Sequence, residues 1–228
     1  MSLKKLLWAS LFSTSLLSGC GGGASPSDIL SVTNDGTSQI NLETMQQTIE
    51  EMPYEELSTE EVNSLIFTRE EEKLAYDVYV TLDGYDYVTV QNFINIADAE
   101  QTHTDSVKIL LDKYELNDPV AEPQTVGEFE NQDLQQLYDD LVVQGSDLIS
   151  ALQVGCLIEE LDIRDIAADL TNNVDNEDIA YVYESLLKGS RNHLRAFYST
   201  LQQNGGEYTP QYITQEEFDV IVNSDMER

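Results

Sequence analysis

Apolar residues recur at the three- and four-residue spacing of a helix along most of the chain. This period predicts four long amphipathic helices, and no segment shows the apolar–polar alternation that is typical of a strand. Weaker patterns predict short extra helices near 133–143 and directly after Thr214. The four long patterns cover about 59–82, 90–114, 147–170 and 177–202.

Residues that favour helix termini border these patterns. Ser58-x-x-Glu61 and Thr214-x-x-Glu217 have the form of capping boxes, in which the first side chain bonds the helix backbone and the glutamate bonds back. Thr89 is the predicted N-cap of the second long helix. Local chemistry therefore predicts the helix boundaries independently of the apolar period.

The longest connection joins the second and third long helices. Pro119 and Pro123 interrupt the helical pattern there. One long crossover in an otherwise antiparallel bundle is typical of the ferritin-like arrangement. We therefore predict an all-α fold, a ferritin-like four-helix bundle with a long crossover between helices 2 and 3 and short extra helices. The alternative is an unrelated up-and-down bundle with a decorated loop.

The N-terminal residues have the pattern of a bacterial lipoprotein signal peptide. Lys4 and Lys5 precede an apolar run over 6–17, and small residues lead to Cys20. We therefore predict a signal peptide over 1–20, with Cys20 as the lipidated first residue of the mature protein. Because Gly21 rather than aspartate follows, the expected location is the cell envelope, on the periplasmic side of the outer membrane.

Composition limits the organisation and the partners of the mature chain. Residues 21–56 are predicted to be a flexible acidic tether, because they are rich in small and acidic residues and show little periodicity. The rest, 57–228, is long enough for one well-buried helical domain. The formal net charge of −32 repels phosphate backbones and anionic lipid, so we expect no nucleic-acid partner and membrane attachment only through the lipid.

Two histidines fall on the inward faces of the predicted helices. Glu100 and His103, three residues apart, share the apolar stripe of the second long helix and can reach one ion. His193 is in line with Leu186 and Phe197 on the fourth. A carboxylate and imidazoles that point into a core need a partner, and metal binding is the interpretation we favour.

The first long helix adds a third carboxylate to this set. Glu72 shares the apolar stripe with Tyr79, whereas Glu70 and Glu71 are expected to point toward solvent. Tyr79, near the proposed site, and Tyr76 are candidates for a redox or supporting role, although packing is the more common role of a tyrosine.

The third long helix adds two more. Glu159 aligns with the apolar positions, and Asp162 falls on the same face as an extra ligand or as a hydrogen-bond acceptor for one. Glu160 aligns with polar positions instead. Two divalent ions would neutralise the four inward carboxylates, which otherwise are costly to bury.

The fourth helix departs from the usual pattern of two-metal bundles. In those bundles, two helices each supply a Glu and the other two each supply Glu-x-x-His. Ser190 stands where the second such motif needs a glutamate. One bridging carboxylate is therefore missing, or Asp162 replaces it.

A polar core without metal is the alternative to this site. In that arrangement, arginines pair with the buried carboxylates. Arg69 lies one turn from Glu72, and Arg191 and Arg195 flank His193, so the spacing alone allows it.

Four motifs together resemble a known family: Arg69-Glu-Glu-Glu-Lys-Leu-Ala75, Ala99-Glu-Gln-Thr-His103, Glu159-Glu-Leu-Asp-Ile163 and Gly189-Ser-Arg-Asn-His-Leu-Arg-Ala-Phe197. Over about 57–221 the chain is similar to the ferritin-like family catalogued as domain of unknown function 2202, and more distantly to rubrerythrins and bacterioferritins. The resemblance implies a four-helix metal-binding fold. It also implies metal ligands at Glu72, Glu100, His103, Glu159 and His193.

The expected function follows from these ligands. One or two Fe or Mn ions in a carboxylate–histidine site react with oxygen or peroxide, as in an oxidase, ferroxidase or peroxidase. The alternative is a helical bundle that holds metal or binds a partner without turnover. The resembled family has no assigned reaction, and fold analogy supplies none.

Overall fold

The structure is a computed structural model that describes residues 29–33, 36–120 and 123–228. The predicted signal peptide and Cys20 lie outside these residues. The described part contains seven helices and two short strands: β1 (Leu30–Val32), β2 (Ser38–Ile40), α1 (Leu42–Glu51), α2 (Thr59–Asp83), α3 (Asn92–Lys113), α4 (Gln132–Gln144), α5 (Leu148–Asn172), α6 (Glu177–Gln203) and α7 (Gln215–Val222).

Four long helices, α2, α3, α5 and α6, form the bundle. α2 packs along α3 and α5 packs along α6, while α3 also contacts α6 and α2 contacts α5. This arrangement confirms the predicted all-α fold. The long connection between α3 and α5 contains α4, as the sequence predicts. Within the described residues, no helix is long and apolar enough to cross a membrane.

A side-chain cap marks the start of five of the seven described helices, and α3 and α6 lack one. Both predicted capping boxes are present, at the starts of α2 and α7. In the first box, Glu61 also accepts hydrogen bonds from the amides of Asp175 and Asn176, so it ties α2 to the loop between α5 and α6. Thr89 is not an N-cap, because the chain bends at 90–91 and α3 begins only at Asn92.

The segment before α2 packs against the bundle. β1 and β2 form an antiparallel hairpin, and α1 follows it. Five of its apolar side chains are buried in a cluster with residues of α3 and α6: Ile29, Leu30, Ile40, Met45 and Ile49. The structure thus corrects the expected flexible tether over 21–56 for the described residues up to α1. Strands of three residues are too short to show a period, which is why the sequence pattern missed them.

The apolar interior is divided into two clusters. One contains Tyr79, Phe93 and Phe197, and the other contains Leu65 and Leu186. Along each long helix, the inward polar residues lie between members of the two clusters. The fold therefore places a polar layer between two apolar layers, across all four long helices.

Candidate metal centre

Six side chains from the four long helices make up this polar layer. α2 supplies one residue, α3 two, α5 two and α6 one, and each of the six is at most 1% exposed. They are the six candidate ligands that the sequence predicts: Glu72, Glu100, His103, Glu159, Asp162 and His193.

Glu100 lies at the centre of the layer, between the two histidines. Its Oε2 is 2.8 Å from Nδ1 of His103, and its Oε1 is 2.7 Å from Nδ1 of His193. The two imidazole rings are stacked, with centroids 5.2 Å apart. Each of these three residues offers a ligand atom, and the three atoms all lie within 4.8 Å of one another, so the group could hold a metal ion.

One further carboxylate lies next to each histidine, and we call these two groups the outer carboxylates. Each histidine with its outer carboxylate and the nearer oxygen of Glu100 forms one half of the centre. Oε2 of Glu72 is 3.3 Å from Nδ1 of His103, and Oε2 of Glu159 is 3.5 Å from Nδ1 of His193. Metal–ligand bonds of about 2.0–2.2 Å place neighbouring ligand atoms of one ion roughly 3–4 Å apart. The two halves thus have the spacing of two ligand sets that share Glu100.

The ligand atoms lack other partners. In the described residues, nine buried side-chain nitrogen or oxygen atoms have no hydrogen-bond partner, and eight of them belong to these six residues. They include both oxygens of Glu100, both oxygens of Asp162 and Nδ1 of each histidine. Buried polar atoms are almost always hydrogen-bonded in native proteins. Their concentration in one layer therefore fits a donor set for cations.

Burial acts against the negative charges of this layer. Burial raises the pKa of Glu72 to about 7, and burial together with the Glu100 charge raises that of Glu159 to about 7. Burial and the neighbouring Glu72 raise the pKa of Asp162 well above its usual value. Four carboxylates in so dry a layer cannot all ionise unless cations compensate them.

The two imidazoles supply positive charge when no metal is present. Burial alone would raise the pKa of Glu100, but His103 and His193 hold it below its usual value. Burial opposes a proton on His193, yet Glu100 and Glu159 raise its pKa to about 9. Glu100 raises the pKa of His103 against burial in the same way. A bound cation would displace these protons.

Comparison with known proteins places the chain in a family. The family model described as "Uncharacterized protein domain (DUF2202)" matches residues 61–225. The chain belongs to the DUF2202 family. A relative, "Uncharacterized protein MJ0754" of Methanocaldococcus jannaschii, is 49% identical over 185 residues, which cover 81% of this chain and 98% of that protein.

A solved structure of this DUF2202 relative is similar to the chain. It is the "Crystal structure of hypothetical protein MJ0754 from Methanococcus jannaschii DSM 2661". The match has a TM-score of 0.73 at 49% identity and covers 77% of this chain and 99% of that chain. Neither title names an activity, so the function has to be argued from the site.

Tyr79 is hydrogen-bonded to one of the outer carboxylates in this DUF2202 chain. Its hydroxyl donates a 2.6 Å hydrogen bond to Oε1 of Glu159, which leaves Oε2 as the unpartnered oxygen of that carboxylate. The ring packs in an aromatic group with Phe93 and Phe197. Tyr76, the other tyrosine that the sequence suggested, is a partly buried packing residue.

The β1–β2 hairpin reaches the centre through Ser38, which sequence reasoning missed. Its carbonyl oxygen lies 3.2 Å from Nε2 of His103 and favours a proton there, which leaves Nδ1 free for an ion. Its amide donates a 3.3 Å bond to Nε2 of His193. This amide opposes a second proton on His193, whereas the carboxylates of Glu100 and Glu159 favour one. Asn192 anchors the hairpin by donating to the Ser38 hydroxyl.

Gly189 on α6 makes room for His103. A Cβ at this position would lie 2.4 Å from Cε1 and 2.5 Å from Nε2 of the imidazole. The ring therefore packs directly on the α6 backbone. Any larger residue at position 189 would require the ring to move, and the family motif begins at this glycine.

The arginines of the chain bind elsewhere, which removes the arginine-paired core. Arg69 pairs with Asp118 and donates to Thr104. Both Arg191 and Arg195 pair with Glu227 near the C-terminus. In the described residues, no ion pair joins an arginine to one of the six candidate ligands.

Three acidic neighbours of the ligands are buried, contrary to the sequence prediction. Glu70 accepts from the amides of Glu130 and Asn131, ahead of α4. Glu160 accepts from three consecutive amides of the segment before α7 and from a tyrosine hydroxyl. Glu71 is only 5% exposed, and burial with the adjacent Asp165 raises its pKa well above its usual value.

Proposed function

We propose that this chain is a ferritin-like protein that holds two divalent ions, Fe or Mn, between its four long helices, with Glu100 shared between them. The observation that carries this proposal is the group of eight ligand atoms in one buried layer that have no hydrogen-bond partner outside that layer. A core built only for stability would leave such atoms hydrogen-bonded or would replace them with apolar groups.

We assign ligands to each proposed ion from the contacts between the side chains. The first ion would be held by Glu72, His103 and Oε2 of Glu100, and the second by Glu159, His193 and Oε1 of Glu100, since these groups approach each other pairwise.

Asp162 takes the place of the carboxylate that α6 lacks. The hydroxyl of Ser190 donates to the carbonyl of Leu186 one turn back, so it is not available as a ligand. Both oxygens of Asp162 are unpartnered, and Glu72 and Glu159 are among its nearest charged neighbours. A second shared carboxylate from α5 would therefore replace the missing glutamate of the second Glu-x-x-His motif.

Charge and donor type are compatible with Fe or Mn. The four carboxylates carry a charge of −4 when ionised, which two divalent ions neutralise. Carboxylate oxygens with one imidazole per ion suit Fe, Mn and Zn better than Cu(I) or other soft ions. The donor set contains no thiolate, since Cys156 faces the apolar cluster.

The reaction that suits this centre is oxidation by oxygen or peroxide, as in an oxidase, ferroxidase or peroxidase. Bound Fe or Mn would supply the redox change and the open coordination position. The protein would hold the ligands in a dry layer, and Tyr79 would fix Glu159 and provide a hydroxyl beside it. The aromatic group above the layer would exclude water.

A metal-holding module without turnover is the second candidate. The closed character of the centre favours it, because none of the described surface cavities is lined by any of the six candidate ligands. The sequence also has no CxxC pair for an iron–sulfur or rubredoxin-type electron carrier.

Metal analysis of the purified full chain tests the proposal. We expect two Fe or Mn per chain after loading, and a lower content in Glu72→Gln. Glu70→Gln is the matched control, because it changes a buried glutamate of the same helix that binds only backbone amides outside the centre. Wild-type protein that takes up no Fe or Mn would contradict the proposal.

Turnover separates the two candidates. Peroxide-dependent oxidation of added Fe(II) that disappears in Glu100→Ala supports the enzyme. Stoichiometric metal with no oxidation above the buffer rate supports the metal-holding module.

We also propose that lipid on Cys20 attaches the protein to the membrane of the cell envelope. The signal-peptide pattern supports this, and the strongly acidic composition makes attachment through surface charge unfavourable. In a bacterial host, the wild type should incorporate labelled palmitate and sediment with membranes, and Cys20→Ser should do neither. Equal sedimentation of both would contradict the proposal.

A further inference from the structure

The buried centre needs a route for ions, and most of its sides are closed. The apolar cluster that contains Tyr79, Phe93 and Phe197 closes one end of the polar layer, and the cluster that contains Leu65 and Leu186 closes the other. The β1–β2 hairpin covers the groove between α3 and α6. Between α2 and α3, Arg69 occupies the interior with its own partners. A hydrated cation cannot cross apolar layers without losing most of its hydration energy.

The groove between α2 and α5, on the other side of the bundle from the hairpin, is different. There the carboxyl group of Glu71 is hydrogen-bonded to that of Asp165, which requires a proton on one of the two in the absence of a cation. The side chain of Asp165 is 26% exposed, Glu71 is 5% exposed and Asp162 is 1% exposed. Asp162 has both Glu71 and the ligand Glu72 as close charged neighbours. Carboxylates therefore follow one another from the surface to the centre.

The unpartnered carboxylate of Asp162 points to a cation in the groove between α2 and α5. Both of its oxygens are buried without a hydrogen-bond partner, although other acidic groups around it have found one. Glu70 and Glu160, for example, are each satisfied by backbone amides. Both Glu71 and Glu72 are among the charged neighbours of Asp162, so an ion that moves from the outer pair to the centre can satisfy this carboxylate on its way inward.

We propose that Glu71 and Asp165 form an outer site through which divalent cations enter, and that Asp162 passes them to the centre. This inference rests on the proposed function, because it assigns the route to the same centre. The pair would hold an ion briefly, since one side of the site is open to solvent. Exchange between carboxylates on facing helices then needs no apolar crossing.

Arg164 sets the charge at the entrance. Its guanidinium makes a bidentate ion pair with Asp165, with a 2.6 Å bond from Nε, and lies over the ring of Tyr212. An arriving cation has to compete with this guanidinium for the Asp165 carboxylate. Removal of Arg164 should therefore speed the entry of cations, whereas removal of either acid should slow it.

Loading of the metal-free full chain with Co(II) tests this, with the visible absorption of the bound ion followed by stopped flow. At low salt, Glu71→Gln and Asp165→Asn should each slow loading by up to roughly tenfold, the lower end of the increase in on-rate that a focused negative potential gives. The final absorption and the number of bound ions should equal those of the wild type. Arg164→Gln should load faster than the wild type.

Glu184→Gln is the matched control, because it removes the same charge from an exposed position on α6. Its loading rate should equal that of the wild type. The inference is overturned if Glu71→Gln and Asp165→Asn load at the rate of this control. It is also overturned if Glu71→Gln binds fewer ions, since Glu71 would then be a ligand. Wild-type protein that binds no Co(II) refutes the proposed function itself, which is a distinct result.

Discussion

Replacement of Glu100 by glutamine tests the shared ligand most directly. The substitution keeps the shape of the side chain and removes its charge. Glu100 is the only one of the six candidate ligands with an oxygen close to each histidine, at 2.8 Å from His103 and 2.7 Å from His193. An amide offers one weak oxygen in place of two charged ones, so one half of the centre loses its Glu100 oxygen and the other keeps only a weak one.

The expected size of the effect follows from linkage. An ion present at 100 times its Kd stabilises the folded state by about 2.7 kcal/mol. For a domain of this size, 1 kcal/mol corresponds to about 2–4 °C in Tm, so each bound ion should raise Tm by about 5–11 °C. Wild-type protein should show up to about twice this rise with two ions. Glu100→Gln should show little or none.

The metal-free variant should be less stable as well. Loss of one partner from a buried ion pair costs about 3–5 kcal/mol when the other charge remains. The imidazoles of His103 and His193 can release their protons, which reduces this cost. The informative quantity is therefore the difference in Tm between metal-loaded and metal-free samples of one variant, not the absolute Tm.

Thermal unfolding followed by circular dichroism, with and without Mn(II), measures this difference. Glu160→Gln is the control, because Glu160 is a buried glutamate that binds the segment before α7 and not the centre. It should lower Tm in both conditions and keep the full metal-dependent rise. The reasoning is refuted if Glu100→Gln retains that rise, or if Glu160→Gln loses it.

Three further predictions concern the surroundings of the ligands. Tyr79→Phe removes the hydrogen bond to Glu159 and should weaken Mn(II) binding roughly 10- to 100-fold in a titration; unchanged affinity would show that the bond has no positioning role. Gly189→Ala improves helix propensity but places a methyl group against His103. It should therefore destabilise the protein by about 1–3 kcal/mol and lower the Mn(II) affinity. A more stable variant with normal affinity would contradict this packing. The pKa of His193 is raised to about 9 in the metal-free state, so that state should lose stability as the pH rises from about 6.5 to 9. Over the same range, Mn(II) affinity should increase by up to about tenfold per pH unit for each proton that the ion displaces. Unfolding and titration at pH 6.5, 7.5 and 8.5 check both trends, and affinity that is flat with pH would exclude proton displacement.

Most of the candidate ligand set could be predicted because the inward position of each residue is defined by the apolar period of its own helix. Glu72, Glu100, Glu159 and His193 each lie in line with apolar residues one and two turns away. A helix that buries an apolar stripe must bury whatever else lies on it. The structure places all of these side chains in one layer for that reason.

The same argument failed where a helix is buried on more than one face. Glu70, Glu71 and Glu160 lie off the apolar stripe, yet all three are buried. The loop before α4 covers Glu70, and the segment before α7 covers Glu160. The period of a helix reports its main buried face, but it contains no signal for a loop that folds back from 50 or more residues away.

By itself, the sequence determined the four long helices, the capping boxes at Ser58 and Thr214 and the inward position of the six candidate ligands, because these depend on spacing within about two turns of chain. Only the tertiary structure decided that the arginines bind elsewhere, that Ser38 reaches both imidazoles and that Glu71 meets Asp165. Each of these is a contact between residues that are far apart in the chain. Such contacts depend on how the helices and the hairpin pack, and no local pattern encodes that packing.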